Sequence, residues 1–189
     1  MLFYHGSSLG DLRVLQPFTA DHGKPYVYLT TDEVSAGFYA ASVVERPYYW
    51  FPYGYDPNGK PFYSELYPNA LAEVYQNKPG YLYACELDEK KLLRFASNRN
   101  TRMSTEPVVV TRCERIENLH EWFLQREKEG RLTIQRFAGF TQEALSLWHE
   151  VILEELRDAC REHEPDNPYA RFVQQKLPAV WNRYLRESE

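Results

Sequence analysis

The hydrophobic patterning of this chain is mixed, with strands predominating, up to about residue 118 and purely helical after it. Before that point, short apolar runs alternate with polar residues, as half-buried strands require; after it, apolar residues recur every three or four positions. Strands followed by helices restrict the chain to an α+β architecture, with residues 1–118 as the mixed core and 119–189 as a helical extension packed on it. At 189 residues, one globular domain accommodates both.

The strand-rich part reads in short pieces. "LFYHGSS" is a strand running into a loop. "PYVYLTT" is a second, with Tyr26 and Tyr28 on one face and Val27 and Leu29 on the other. Thr30 and Glu33 have capping-box spacing, with Asp32 as the competing cap, and "EVSAGFYAASVV" is the helix they would open, ending before Arg46-Pro47. Residues 46–68 are so dense in aromatics, prolines and glycines that regular structure cannot run through them. That loop is either a lid or acceptor platform, or a cover for the sheet. "NALAEVYQN" offers one or two helical turns, "GYLYACEL" a strand, and "DEKKLLRFAS" a turn and a further strand or helical turn. Val108 to Thr111 is the most β-prone run, just after Pro107.

The last third is helical in pattern. "NLHEWFLQREKEG" is followed by a stripe of Leu145, Trp148, Ile152, Leu156 and Ala159. A final helix after "PDNP" carries Phe172, Val173, Leu177, Val180, Trp181 and Leu185, with Pro178 kinking it. These stripes read as core and scaffold rather than as a separate partner-binding module.

Charge and composition narrow the partners. The net charge is −5 without a Lys/Arg run, so a nucleic acid is not the expected partner. No stretch approaches the roughly 18 apolar residues of a membrane helix, and no signal-like segment opens the chain, which predicts a protein that is cytoplasmic or delivered by a route needing no cleaved signal. Three cysteines without CxxC spacing and five histidines without HExxH spacing predict neither disulfide framework nor metal site.

Three segments line up as chemistry-bearing: "YHGS", "PYVYLTTDEVSAGFY" and "STEPVVV". Their His, Tyr and Glu on three separate strands resemble the ADP-ribosyltransferases of the diphtheria-toxin and poly(ADP-ribose) polymerase type. Tyr28 and Tyr39 stand eleven positions apart, as the strand and helix tyrosines of the polymerases do. The N-terminal His-Gly pair and the small size also resemble the rifampin-modifying branch. The resemblance covers residues 2 to 112 and implies a split β-sheet core of two packed small sheets.

It further implies an enzyme that cleaves the nicotinamide–ribose bond of NAD and transfers ADP-ribose to an unidentified acceptor, a protein or a small molecule, with a toxin as one setting. His5 would bond a ribose hydroxyl. Gly6 would offer its peptide groups to the nicotinamide carboxamide, with no Cβ in the way. Ser7, and Ser35 near the helix start, would take the remaining carboxamide bonds. Tyr28 and Tyr39 would sandwich the pyridinium ring. Glu106 would stabilise the oxocarbenium-like cation and orient the attacking group, without a metal.

The sequence departs from the pattern in two places. Ala36 stands where the polymerases have a serine, and Ser104 stands where arginine-modifying enzymes have a carboxylate or glutamine, which argues against arginine as acceptor. Glu114 and Glu117 are alternative carboxylates less well placed beyond the strand start. A catalytically idle NAD or ADP-ribose binding module is the alternative reading. An NAD-dependent RNA 2′-phosphotransferase is a third, weakened because the first strand region supplies only Arg13.

Overall fold

The structure, a computed structural model, describes residues 1–19, 23–41, 53–95, 98–162 and 167–188. Its strands are β1 (Leu2–Ser7), β2 (Val14–Leu15), β3 (Phe18–Thr19), β4 (Pro25–Thr30), β5 (Tyr53–Tyr55), β6 (Pro61–Ser64), β7 (Gly80–Glu86), β8 (Leu93–Phe95), β9 (Asn98–Ser104), β10 (Val108–Val109), β11 (Arg112–Ile116) and β12 (Thr133–Gln135). Its helices are α1 (Glu33–Gly37), α2 (Ala70–Tyr75), α3 (Leu119–Lys128), α4 (Gln142–Glu162), α5 (Pro168–Lys176) and α6 (Pro178–Ser188). The class is α+β. No helix of the described residues is long and apolar enough to cross a membrane.

Two compact units account for the contacts: residues 1–42 with 75–132, and residues 43–74 with 133–189. This division falls elsewhere than the change of hydrophobic period. Helix α3 belongs with the strands, because Phe123 stacks on Phe38 at 4.8 Å and meets Tyr75 edge-on at 4.9 Å.

The first unit is built on a sheet of order β11-β7-β1-β4-β9-β8, with β3 paired to β4. Alternation along its strands sends Phe3, Val27, Leu29, Tyr83 and Cys85 to one face, where Leu15 and Val108 of the small β2–β10 sheet join them in one apolar cluster. Helix α1 crosses the other face. A Cβ on Gly6 would lie 1.9 Å from the Ala36 carbonyl oxygen, and one on Gly80 would lie 2.5 Å from that of Ala40. Glycine at both positions is what lets the backbone of the helix and of the turn after it sit on the strands.

Several expectations are corrected here. Of the two candidate caps, Asp32 takes the role, its carboxylate accepting from the Ser35 N–H at 2.9 Å, while Thr30 Oγ1 accepts from the Asp32 N–H. The helix ends at Gly37, followed by a turn through Ala41, and of its expected length only residues 42–44 lie outside the described residues. The run from Val108 to Thr111 is divided: β10 stops at Val109 and a new strand starts at Arg112. Strand β9 was not foreseen, since "NRNTRMS" lacks an apolar alternation; the buried Arg102 is neutralised by Glu89 and bonds the Thr101 carbonyl at 3.0 Å.

The second unit holds the hairpin β5–β6, with β12 parallel to β6, and helices α4, α5 and α6. The described part of the aromatic segment is therefore not all loop. Asp56 accepts from the N–H groups of Asn58 at 2.9 Å and Lys60 at 2.8 Å, and Gly59 takes a φ of 84°, which closes the hairpin turn. Ile152 and Leu156 of the predicted stripe are buried, whereas Leu145, Trp148 and Ala159 are only half-buried. Pro178 does not kink one helix but starts another: α5 ends before Leu177, whose φ of −130° and ψ of 59° leave the helical region.

Candidate functional site

The feature that sets β1 and β4 apart from the other sheet neighbours is how briefly they pair. They are in register at one position, Tyr4 opposite Thr30, whereas β1 matches β7 over six. Just past that single pair the His5 side chain spans the gap, and its Nδ1 lies 2.8 Å from the Tyr28 carbonyl oxygen. A carbonyl only accepts, so Nδ1 carries the proton. Burial also lowers the pKa of His5, so the ring is neutral near pH 7 and its Nε2 presents a lone pair. A histidine held this way can receive a hydroxyl proton without a change of tautomer.

The other sequence-predicted residues also take definite places. Val27 and Leu29 are buried in the apolar cluster, so alternation puts the Tyr28 ring on the opposite face, the one that α1 crosses. That ring meets Phe18 at 5.9 Å and Tyr26 at 6.0 Å, both edge-on. Tyr39 follows α1 with 51% of its surface exposed. The space left by the missing Gly6 side chain is filled by α1, not kept open for a ligand. Ser7 Oγ accepts from the Leu9 N–H at 3.1 Å and so shapes the turn out of β1, while retaining its own proton to donate. Ser35 is buried and its hydroxyl donates to Asp32 at 3.3 Å.

Glu106 does not begin a strand. It lies in the bend between β9 and β10, with an exposed side chain. The strand before it neighbours β4, with Ser104 opposite Val27, so β1, β4 and β9 stand side by side in that order. Of the alternative carboxylates, Glu114 is exposed on the edge strand β11, and Glu117 pairs with Arg115 at 3.0 Å.

Two contributors escaped the sequence reading. Tyr83 Oη donates to the Leu9 carbonyl at 2.7 Å and accepts from the Leu12 N–H at 3.3 Å, tying the loop after Ser7 to β7. Desolvation, with Cys113 and Asp11 adding to it and the Leu12 N–H opposing it, pushes its pKa up to about 12. Nothing in the local sequence of "GYLYACEL" marks it, because both partners are more than seventy residues away. Ser104, read only as a departure from a family pattern, holds the backbone of Glu106 on both sides; the spacing Ser-x-Glu is the signal that was present.

Among the described residues no three His, Cys, Asp or Glu side chains are grouped to hold a metal ion. No protein-family model matches the chain, and neither a curated protein nor a solved structure matches it.

Proposed function

We propose that the chain is an NAD-dependent ADP-ribosyltransferase, which breaks the nicotinamide–ribose bond and passes ADP-ribose to a protein or small-molecule acceptor. The observation that carries this reading is the short β1–β4 ladder with His5 bridging it. A short ladder in the middle of a continuous sheet is the feature that a split core of that family would build on, and the small β2–β10 sheet joins the same apolar cluster.

The residues fit the substrate in chemical terms. The Nε2 lone pair of His5 would accept from a ribose hydroxyl. The Gly6 peptide and the Ser7 hydroxyl proton would serve the carboxamide. Ser35, whose hydroxyl gives its proton to Asp32, has only acceptor capacity left and would suit the carboxamide N–H. Tyr28 and Tyr39 supply electron-rich faces for a pyridinium ring. The Glu106 carboxylate would stabilise the positive charge that develops as the glycosidic bond breaks.

The test is release of nicotinamide from NAD. Wild type should release it, and Glu106→Gln should lower turnover on the order of 100-fold or more, as removal of a preorganised electrostatic group does. Equal rates for the two proteins, or no release with any acceptor offered, would overturn the assignment.

One observation favours a second reading, an NAD-binding module without turnover: the Glu106 side chain is exposed, where water screens a carboxylate. That module would show a thermal shift with NAD, abolished in Tyr28→Ala and His5→Ala, and no nicotinamide release.

A further inference from the structure

The backbone of Glu106 is held more firmly than its exposure suggests. Ser104 Oγ accepts from the Glu106 N–H at 3.1 Å and donates to the Glu106 carbonyl at 2.8 Å. Both polar groups of one residue are thus tied to a single hydroxyl. The anchor itself is only 8% exposed and is fixed in β9 by its register with Val27. Pro107 acts from the other side, since its ring confines the preceding residue to extended backbone.

We propose that Ser104 is a positioning residue: it fixes the backbone from which the Glu106 carboxylate projects, so that the carboxylate returns to one place although water surrounds it. The inference rests on the reading of Glu106 as the catalytic carboxylate. Preorganisation matters here because an exposed carboxylate has no buried partner to aim it, so its aim comes from its own main chain. Ser104 touches no reacting atom in this scheme and acts only through Glu106.

The experiment uses the full chain and two readouts. The first is independent of catalysis: exchange of the Glu106 amide proton with solvent, followed by NMR. It should be slowed in wild type and in Ser104→Thr, which keeps the hydroxyl, and accelerated in Ser104→Ala. Should the alanine variant fail to fold, Ser104→Cys fills nearly the same volume with a poor acceptor and should behave as alanine was expected to.

The second readout is nicotinamide release at varied NAD. Losing the anchor should lower kcat by about 10- to 100-fold, the scale of a misplaced catalytic group, with KM for NAD changed less than about twofold. Ser104→Thr should restore kcat. A merely structural serine would leave kcat unchanged in folded variants. If Ser104→Ala keeps kcat while Glu106→Gln loses it, the positioning role is refuted and the enzymatic reading stands. If wild type and Glu106→Gln are alike, both fall together. Rapid Glu106 amide exchange in wild type refutes the anchor outright.

Discussion

Replacing Gly6 by alanine tests the packing on which the whole site depends. The new Cβ would stand 1.9 Å from the Ala36 carbonyl oxygen and 2.9 Å from the Ala40 nitrogen, both backbone atoms that no rotamer change can move. Helix α1 would have to retreat by about 1.5 Å to regain ordinary van der Waals separation. It is not free to do so. Asp32 caps its first turn at 2.9 Å, and Tyr75 Oη donates to the Phe38 carbonyl at 2.9 Å just past its end. Phe38 in turn stacks on Phe123.

Overpacking of a close-packed interior costs about 1–3 kcal/mol, and a clash with backbone belongs at the upper end. A loss of about 3 kcal/mol corresponds to a fall in Tm of about 6–12 °C for a chain of this size. The assay is urea and thermal unfolding followed by circular dichroism, with Gly139→Ala as control, because a Cβ at Gly139 meets no atom within 4 Å. The control should lie within about 0.5 kcal/mol of wild type. A Gly6→Ala protein equally close to wild type would refute the account of α1 seated on β1.

The remaining predictions concern the same unit. His5 should titrate below its ordinary 6.5, because burial penalises the imidazolium more than the Tyr28 carbonyl favours it. Its contribution to stability is therefore complete above pH 6.5 and is lost as pH falls through the folded-state pKa; a ring-proton NMR titration with a midpoint at or above 6.5 would contradict this. Tyr83→Phe removes the hydroxyl that holds Leu9 and Leu12, which should cost about 1–2 kcal/mol and speed exchange of the Leu12 amide. Unchanged exchange at Leu12 would show that the loop after Ser7 needs no tether.

Where local chemistry decides, the sequence could be read. The alternation of "PYVYLTT" sends Val27 and Leu29 into the apolar cluster. The spacing of "GYLYACEL" yields β7, and the polar, helix-favouring run after Asn118 yields α3. Asp32 prevailed over Thr30 as cap because its carboxylate reaches the Ser35 N–H, a choice the sequence left open between two good capping residues. Strand β9 was hidden because its sequence is polar: a strand in mid-sheet is ordered by neighbours on both sides, and Arg102 is buried only because Glu89 neutralises it.

The candidate site divides along the same line. The sequence offers His5, Tyr28, Tyr39 and Glu106 as candidates through the resemblance of three segments to a known family, and it places them in separate stretches of the chain. It also determined the α+β class, because hydrophobic period is a local property of each segment. Only the tertiary structure decided that the β1–β4 ladder stops after one pair, that His5 bonds across the gap, and that Gly6 is bare for the sake of α1. Each of these is a contact between residues at least 23 apart in the chain, as His5 and Tyr28 are. Such contacts arise from the assembled sheet, where a strand's partner is chosen by the packing of both its faces rather than by its own residues.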